Sequence, residues 1–448
     1  MERKEDALSA VIRFENAGCI IWSPNYRRYY LLAPKLEETL YDEIVNKKQP
    51  VSKAYSKNLE LKKKFCDIGV KDNAKIIANK NKTKRPLYSP LEYYFDYTNR
   101  CNLRCKYCYN FKNLGQTTMK NDDIIKIVSE MNDLGIKRLY LAGGEPTIDV
   151  NALKAYIDTA YKYGITTSMV TNGTLLTEEL CQYLISRELV DISISIDGWD
   201  EKSNQLRRSK GTFEKSIEGA KMLIETKKKM KNKITEICIK PIVDRTQDIE
   251  FFENMIKLTL ELHADKVKFA NPERSLNHPL GYYSNNVNNY YEMINIIGSL
   301  KKKYEGKLVV TNCTNPCVGF KNVGIPGMHG CIGGQELIAI NADGRISPCL
   351  MNHIVLGNYY DYGSMKKFYD TSKELEKYAR RIDYKECYEC RLYRSCRGGC
   401  QVRKIVQCGN TTGKDPICPI LNNVSLDGVA DFDSYDDIIT PIWVAHSL

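Results

Sequence analysis

Two patterns of apolar and polar residues alternate in the middle of the chain, between residues 91 and 270. Short apolar segments alternate with longer ones in which apolar residues recur every three or four positions, as at residues 122–134 and 150–163. The short segments are typical of buried strands and the longer ones of amphipathic helices. Predicted strands cover residues 91–97, 138–142, 166–171, 191–196, 236–242 and 266–270. This order predicts an α/β domain with a parallel sheet, as an open or closed barrel, whose functional groups lie at the carboxyl ends of the strands.

The residues before this domain follow a different pattern. Three short strands are predicted at residues 10–14, 18–22 and 28–32. One helical pattern begins at Pro34 and another covers residues 59–65, so residues 1–78 are predicted to form a small α+β module. Residues 79–90 are polar and basic, which predicts a linker to the domain at residues 91–306.

The alternation of strands and helices ends near Lys307. Residues 307–424 combine short strand patterns, turns and many cysteines. Such a segment cannot build a large apolar core, so we expect metal clusters to form its interior. Residues 425–448 carry five aspartates and neither lysine nor arginine. That composition is compatible with a flexible acidic tail and with a strap packed by its aromatic residues.

Charge and composition narrow the possible partners. The 448 residues include 66 basic and 55 acidic side chains, a net charge of +11. This modest excess suits a solvated lysine-rich surface or a docking surface for an acidic peptide or redox partner. The basic runs at residues 227–233 and 301–303 lack interleaved aromatic residues, so we expect no nucleic-acid binding. The chain has no apolar run of membrane-spanning length and no signal peptide, so we expect a cytoplasmic protein without membrane contact.

The 17 cysteines carry the chemical information. Many cysteines in a chain without a secretion signal indicate metal ligands rather than a disulfide scaffold. Cys101, Cys105 and Cys108 directly follow the first strand of the predicted sheet. Three thiolates are one fewer than a closed zinc site or a fully ligated four-iron cluster requires, so one iron of such a cluster would stay open. The alternative is a structural zinc ion with a fourth ligand from elsewhere.

A second group of cysteines lies in the C-terminal region. A dense run with intervals of two, five and three residues is followed by two more cysteines: Cys387, Cys390, Cys396, Cys400, Cys408 and Cys418. Upstream, Cys331 and Cys349 bracket a predicted β-hairpin with its turn at Asp343-Gly344, which brings its flanks together. The pattern predicts metal clusters, and a pair of zinc knuckles is the alternative.

The first cysteine motif, with an aromatic residue at Tyr107, resembles that of the radical S-adenosylmethionine enzymes. The glycine motif after the second strand resembles the family's site for the methionyl amino group, where glycines let the backbone approach and the Glu145 carboxylate is expected to meet an ammonium. Its residues are Gly143, Gly144, Glu145 and Pro146. Positions that resemble contacts to the ribose and carboxylate of the cofactor are Asn172, Ser193, Ser195, Asp197 and Arg207. Ala270 is expected to offer its backbone to the adenine.

This resemblance implies a fold and a reaction. The expected fold is a partial (β/α)6 TIM-type barrel that carries one [4Fe-4S] cluster and S-adenosylmethionine. In the family, an electron from a flavodoxin or ferredoxin-type donor leads to cleavage of the cofactor and a 5′-deoxyadenosyl radical that removes hydrogen from a substrate. The sequence does not identify a catalytic acid or base. Polar residues near the predicted site loops are Asp96, Tyr97, Glu336 and His353.

The C-terminal cysteines resemble the SPASM extension, which binds two auxiliary [4Fe-4S] clusters. By that resemblance, one auxiliary cluster takes Cys331, Cys349, Cys400 and either Cys313, which we favour, or Cys317. The other takes Cys387, Cys390, Cys396 and Cys418, which leaves Cys408 without a role. Full ligation would favour electron transfer, whereas an open iron could bind a substrate thiolate.

The N-terminal module resembles the winged-helix-like peptide-recognition element of ribosomal-peptide maturases. In those enzymes the leader segment of a precursor peptide adds as a strand to a sheet edge, for which residues 12–14 and 28–32 are candidates. The implied function is radical modification of a precursor peptide, to give a thioether or other cross-link, or an epimerised residue. Alternatives are side-chain oxidation of the sulfatase-maturase type, modification of a small molecule or haem precursor, and an iron–sulfur carrier or sensor. The module itself could instead cap the barrel or support dimerisation.

Overall fold

The computed structural model describes most of the chain in several segments. These are residues 8–16, 18–23, 28–32, 34–56, 58–80, 82–204, 210–243, 247–270, 287–312, 331–351, 354–379, 385–390, 393–418 and 420–423. No helix within these segments is long and apolar enough to span a membrane.

The N-terminal module is a four-stranded sheet with helices packed on one face. Its elements are β1 (Val11–Glu15), β2 (Gly18–Ser23), β3 (Arg28–Leu32), α1 (Pro34–Tyr41), α2 (Val51–Ser56), α3 (Leu59–Asp67) and β4 (Lys75–Ala78). The strand order is β3-β2-β1-β4, with β4 parallel to β1 and the other pairs antiparallel. Ile12 and Phe14 alternate onto the face that packs against Leu61 and Phe65 of α3, which forms the core of the module.

The fourth strand corrects one expectation about the sheet edges. Residues 12–14 were predicted as a candidate edge, but β1 lies between β2 and β4. Ile12 is aligned with Ile21 on one side and with Ile76 on the other, so both sides of β1 are paired. In the described part of this sheet, β3 and β4 are the outer strands, which keeps residues 28–32 at an edge.

The central domain is a curved parallel sheet with helices between its strands. The strands are β5 (Glu92–Phe95), β6 (Arg138–Leu141), β7 (Thr166–Thr171), β8 (Asp191–Ile194), β9 (Glu236–Ile239), β10 (Lys266–Phe269) and β11 (Val309–Asn312). The helices are α4 (Asn121–Asp133), α5 (Val150–Lys162), α6 (Glu178–Ser186), α7 (Thr212–Lys229), α8 (Ile249–Glu261) and α9 (Val287–Lys303). Each strand is parallel to the next along the chain, which confirms the predicted α/β barrel-like sheet.

Alternation along the strands separates two faces of this sheet. In β6, Leu139 and Leu141 are buried, while Arg138 and Tyr140 are half-buried on the other face. Phe95 packs on Tyr156 of α5, so the buried set faces the helices and the half-buried set faces the inside of the barrel. Polar residues start the helices. Asp149 and Thr177, for example, accept hydrogen bonds from the backbone of the first turns of α5 and α6.

The C-terminal region continues the same sheet. Its elements are β12 (Leu337–Ile340), β13 (Arg345–Ser347), β14 (Gly357–Asn358), α10 (Tyr359–Tyr362), α11 (Met365–Thr371), α12 (Lys373–Ala379), α13 (Tyr393–Cys396) and α14 (Gln401–Cys408). β12 and β13 form the predicted hairpin, and β12 pairs in parallel with β5. At the opposite end, β11 pairs in parallel with β10, so the sheet crosses the boundary predicted between residues 306 and 307. The domain boundaries themselves stay predictions.

A buried ion pair attaches the N-terminal module to the barrel. Arg13 Nε donates to Glu15 Oε1 at 2.8 Å, and both side chains are fully buried. The same guanidinium donates to the carbonyl oxygens of Ser89 (2.7 Å) and Gly135 (3.2 Å). Within residues 79–90, Leu87 and Tyr88 are buried, so this connecting segment is packed rather than loose.

Candidate active site

The loop that carries the first three cysteines lies directly against the glycine motif. Gly144 N–H donates to Thr98 O at 2.9 Å, and Glu145 N–H donates to Arg100 O at 2.7 Å. A Cβ added at Gly144 would lie 2.0 Å from Arg100 O, so only glycine permits this approach. The carboxyl ends of β5 and β6 therefore hold the two predicted cofactor motifs in backbone contact.

The carboxylate of Glu145 has several hydrogen-bond partners within the protein. Its Oε1 accepts hydrogen bonds from the hydroxyls of Thr147 and Thr171, both at 2.6 Å. Its Oε2 accepts one from Asn172 N–H at 2.8 Å, and the side chain is 2% exposed. The carboxylate therefore joins the loops after β6 and β7. Its expected contact with a ligand ammonium stays a prediction, and the backbone of the motif is a further candidate for ligand contact.

Asn172 connects the end of β7 to the cysteine loop. Its Nδ2 donates to Asn102 Oδ1 at 2.9 Å, and Asn102 Nδ2 donates to Thr174 Oγ1 at 2.8 Å. Ser216 Oγ donates to Asn172 O at 2.7 Å, which fixes the turn from below. Asn102 of the cysteine loop is thus held by the residues that follow β7. Asn172 therefore contacts the cysteine loop, and its role as a cofactor contact stays a prediction.

Asp197, which follows the end of β8, also binds the cysteine loop. Its carboxylate accepts a hydrogen bond from Ile242 N–H at 2.9 Å and another from the Tyr107 hydroxyl. Its own N–H donates to Asn204 Oδ1 at 2.9 Å. The aromatic residue of the cysteine motif is therefore bound to a buried acid on the opposite loop. Ser195, two residues earlier, is half-buried on the same edge.

Two other predicted contacts, Ser193 and Ala270, have partners within the protein and stay predictions as cofactor contacts. Ser193 Oγ donates to Asp191 Oδ1 at 2.7 Å, so it points back toward the start of β8 and away from the carboxyl edge. Ala270 N–H donates to Pro241 O, and Ala270 O accepts from Val243 N–H, each at 2.9 Å. This pairing attaches Ala270 to the loop after β9 through both of its backbone groups. Arg207 lies outside the described residues.

The three thiols fit an iron–sulfur cluster as donors. Cys101, Cys105 and Cys108 are all partly exposed on one loop. Burial raises the pKa of Cys101 to about 11, so its thiolate forms at neutral pH only when a metal binds the sulfur. Among the described side chains, no group of three or more Cys, His, Asp or Glu is spaced to hold one metal ion. Iron–sulfur clusters are held by cysteine thiolates, so the three side chains are the right type of donor, and their ligation of a cluster stays a prediction.

The hairpin brings the two cysteines at its base toward each other. Gly334 N–H donates to Pro348 O at 3.1 Å, next to Cys349. A Cβ at Gly333 would lie 3.1 Å from Pro348 O and 3.5 Å from Cys331 Sγ. The remaining C-terminal cysteines that the structure describes are Cys387, Cys390, Cys396, Cys400, Cys408 and Cys418, while Cys313 and Cys317 lie outside the described residues.

A buried acid that the sequence analysis missed connects two of these cysteines. Asp415 Oδ2 accepts a hydrogen bond from Cys400 N–H at 2.7 Å, and Asp415 O accepts one from Cys418 N–H at 3.0 Å. Arg403 binds the same carboxylate through two nitrogens, at 2.8 and 2.7 Å. Burial alone would raise the pKa of Asp415, but the Arg403 charge and these donors hold it below its ordinary value. No sequence motif marks this pair, because Arg403 lies in α14 and Asp415 lies 12 residues later, after the helix has ended.

The polar residues that the sequence left undecided have different surroundings. Tyr97 is buried and its hydroxyl donates to Pro146 O at 2.6 Å, which makes it a support for the glycine motif. Burial raises the pKa of Asp96 and of Glu336 to about 7 in each case. His353 lies outside the described residues.

Comparisons with known proteins agree with this geometry. Residues 96–258 match the family model of the Radical SAM superfamily. The chain is 30% identical over 280 residues to a GTP 3′,8-cyclase of Petrotoga mobilis, an alignment that covers 57% of this chain and 80% of the relative. It is 22% identical over 353 residues to a PqqA peptide cyclase of Bradyrhizobium diazoefficiens, which covers 74% and 86%. The crystal structure of Streptococcus suis SuiB bound to precursor peptide SuiA has a TM-score of 0.70 at 17% identity and covers 92% of this chain and 98% of SuiB.

Proposed function

The chain belongs to the radical SAM superfamily, and from this premise we propose that it modifies a precursor peptide by radical chemistry. The observation that carries the proposal is the backbone contact between the cysteine loop and the glycine motif, at the carboxyl edge of the sheet. A relative named as a peptide cyclase and a similar fold with a bound precursor peptide support a peptide as the substrate. The proposed product is a thioether or other cross-link, or an epimerised residue.

Three thiols and one glycine motif would hold the cofactors. Cys101, Cys105 and Cys108 would ligate a [4Fe-4S] cluster, and the backbone of residues 143–146 with Asn172 and Ser195 would line the place of S-adenosylmethionine. When bound, this pair supplies a 5′-deoxyadenosyl radical that removes hydrogen from a substrate. The protein orients the substrate carbon and excludes water through the loops that Glu145, Asn172 and Asp197 tie together.

The C-terminal region is proposed to hold two auxiliary [4Fe-4S] clusters. Cys331, Cys349 and Cys400 would serve the first with Cys313 or Cys317, and the second would take Cys387, Cys390, Cys396 and Cys418. The close approach of the two ends of the β12–β13 hairpin supports the first set of ligands. The hydrogen bonds of Asp415 to Cys400 and Cys418 support a position of the two clusters close to each other. An electron donor of the flavodoxin or ferredoxin type would reduce them. The many thiols suit a reducing compartment, so we place the reaction in the cytoplasm.

The N-terminal module is proposed to bind the leader segment of the peptide. β3 is an outer strand of the described sheet, and an extended peptide can pair with such an edge. The buried Arg13–Glu15 pair holds the module against the barrel, so a bound leader would keep a fixed position relative to the site. This fixed geometry would deliver the following core segment to the carboxyl edge of the barrel.

Reconstitution of the clusters, followed by reduction with S-adenosylmethionine, tests the proposal. The wild-type chain should form 5′-deoxyadenosine and change the mass or deuterium content of a co-expressed peptide. Replacing Cys101, Cys105 and Cys108 by alanine should abolish both results. Cys66→Ala is the matched control, because Cys66 is an exposed thiol in α3 of the N-terminal module and belongs to neither cysteine group. A wild-type chain that leaves S-adenosylmethionine intact would refute the proposal.

A further inference from the structure

Three lysines lie on the inner face of the barrel, on or directly after β9 and β10. Val267 and Phe269 of β10 belong to the core between the sheet and the helices. Successive side chains of a strand point to opposite faces, so Lys266 and Lys268 face the inside of the barrel. Lys240 directly follows β9, whose last residue is packed toward the helices, so Lys240 also faces the inside. The inner face therefore carries three half-buried lysines at this point.

Two of these lysines are neighbours across the strands. Val267 is aligned with Ile239 in the parallel pair of β9 and β10. The next residues along the two chains are Lys268 and Lys240, which are therefore aligned as well, and an isolated bridge two positions further on keeps the same register. Neighbouring strands are about 5 Å apart, and like charges at this spacing repel each other. The aligned lysines therefore create a place where an anion is favoured.

The acidic side chains of these strands belong to the third lysine. Lys266 binds Asp191 at 2.8 Å and also binds Glu236. Against the effect of burial, the charges of Lys266 and Lys268 hold the pKa of Asp191 below its ordinary value. Lys240 has no ion pair or side-chain hydrogen bond with the residues that the structure describes. The inner face of β8, β9 and β10 therefore has an excess of positive charge near the carboxyl ends of the strands.

The position of the aligned lysines indicates which molecule supplies the anion. Lys240 N–H donates to Ile194 O at 2.8 Å, which places the lysines one and two strands beyond Ser195, a proposed cofactor position. The methionyl group of the cofactor is expected at the glycine motif after β6, three strands from β9. Three strand spacings measure about 14 Å along the sheet. An anion at the aligned lysines therefore belongs to a second molecule inside the barrel, and the proposed function makes that molecule a peptide.

We propose that Lys240 and Lys268 bind a carboxylate of the peptide substrate on the inner face of the barrel. Carboxylates are the anionic groups of an unmodified peptide at neutral pH, and an ammonium group forms strong charge-assisted hydrogen bonds with them. The inference rests on the proposed function and adds a requirement for an acidic group in the peptide. That group is either an Asp or Glu side chain or the C-terminal carboxylate, and the test separates these sources.

The test compares Lys240→Gln with wild type on the peptide that wild type modifies. Glutamine keeps a polar side chain but removes the charge, so the expected KM for the peptide is about tenfold higher. The melting temperature should not fall, because the substitution removes one of two like charges. Lys268→Gln is a second variant and should raise the KM by a similar factor. Lys257→Gln is the matched control, because Lys257 is exposed on α8, outside the barrel.

Amide substitutions in the peptide make the test specific. Synthetic peptides carry one change each: Asp to Asn, Glu to Gln, or an amidated C-terminus. One of them should raise the KM of wild type by a similar factor. With that peptide, Lys240→Gln should cause no further rise, because both changes remove the same interaction.

Four outcomes distinguish this inference from the proposed function. An unchanged KM for the peptide in both lysine variants would overturn the inference, as would independent effects of the lysine and of every peptide carboxylate. A higher KM for S-adenosylmethionine in place of the peptide would also overturn it, because the lysines would then bind the cofactor. A wild-type chain that modifies no peptide shows failure of the proposed function itself.

Discussion

Two buried acids at the same edge of the sheet have opposite surroundings. The carboxylate of Glu145 accepts hydrogen bonds from Thr147, Thr171 and Asn172, so its part is to hold loops together. Asp96 has its Oδ1 buried and without a hydrogen-bond partner among the described residues. Sequence position predicted Glu145 as a cofactor contact and placed Asp96 among four undecided polar residues near the site loops. It could not separate their roles, since the distinction depends on donors from other loops.

The raised pKa of Asp96 predicts a pH dependence of stability. Its pKa rises from 3.8 to about 7 on folding, because burial penalises the charged form. Stability that the neutral form provides is complete below about pH 4 and is lost as pH rises through 7. The Tyr109 hydroxyl, a second titratable group, donates to Asp96 Oδ2 at 3.2 Å. Wild type should therefore lose unfolding free energy relative to Asp96→Asn between pH 4 and 7, measured by urea denaturation. A difference that stays constant with pH would contradict this prediction.

At the scale of elements, local pattern predicted the barrel well and long-range pairing poorly. The six predicted strands of the barrel are present within two or three residues at each end, because alternation and strand–helix order are local signals. β4 was missed because its Lys75–Ala78 sequence has no alternation and its partner β1 lies some sixty residues earlier. Ser193 lies within β8 on the same face as Asp191, two residues earlier, and the pattern could not predict that its hydroxyl binds that neighbour.

Gly144→Ala tests the contact between the elements that form the site. The added Cβ would lie 2.0 Å from Arg100 O, and backbone on both sides cannot move without separating the cysteine loop from β6. Overpacking of this kind costs about 1–3 kcal/mol. We expect a lower melting temperature and loss of 5′-deoxyadenosine formation in the reconstituted protein. Gly115→Ala is the matched control, because its Cβ meets only ordinary contacts at 3.5 Å or more. Equal behaviour of the two variants would contradict the structural role of Gly144.

At the scale of the whole molecule, buried polar contacts join units that the sequence analysis treated as separate. Arg13 of the N-terminal module donates to the connecting segment and to Gly135 after α4. Arg85 of the connecting segment binds Glu376 at 3.1 Å and Tyr369 O at 2.7 Å, both in the C-terminal region. The basic composition of residues 79–90 predicted a linker, and composition carries no information about partners distant in sequence. The three units therefore form one connected body through this segment.

Arg13→Met tests this connection. It leaves Glu15 buried without its cation, which costs about 3–5 kcal/mol in comparable buried pairs. We expect a lower melting temperature and faster cleavage within residues 79–90 in limited proteolysis. Lys47→Met is the matched control, because Lys47 is an exposed side chain of the module whose ion pairs with Asp42 and Glu43 are screened by solvent. Cleavage of Arg13→Met at the wild-type rate would show that the module is held by other contacts.

The central claim is that a radical formed at the Cys101–Cys108 loop removes hydrogen from a peptide. Isotope transfer tests it most directly. The reconstituted, reduced protein is incubated with S-adenosylmethionine and a peptide substrate deuterated at carbon, and the 5′-deoxyadenosine is analysed by mass spectrometry. The account predicts 5′-deoxyadenosine that carries deuterium from the peptide, and none from the variant with alanine at Cys101, Cys105 and Cys108. Unlabelled 5′-deoxyadenosine beside a modified peptide would contradict it.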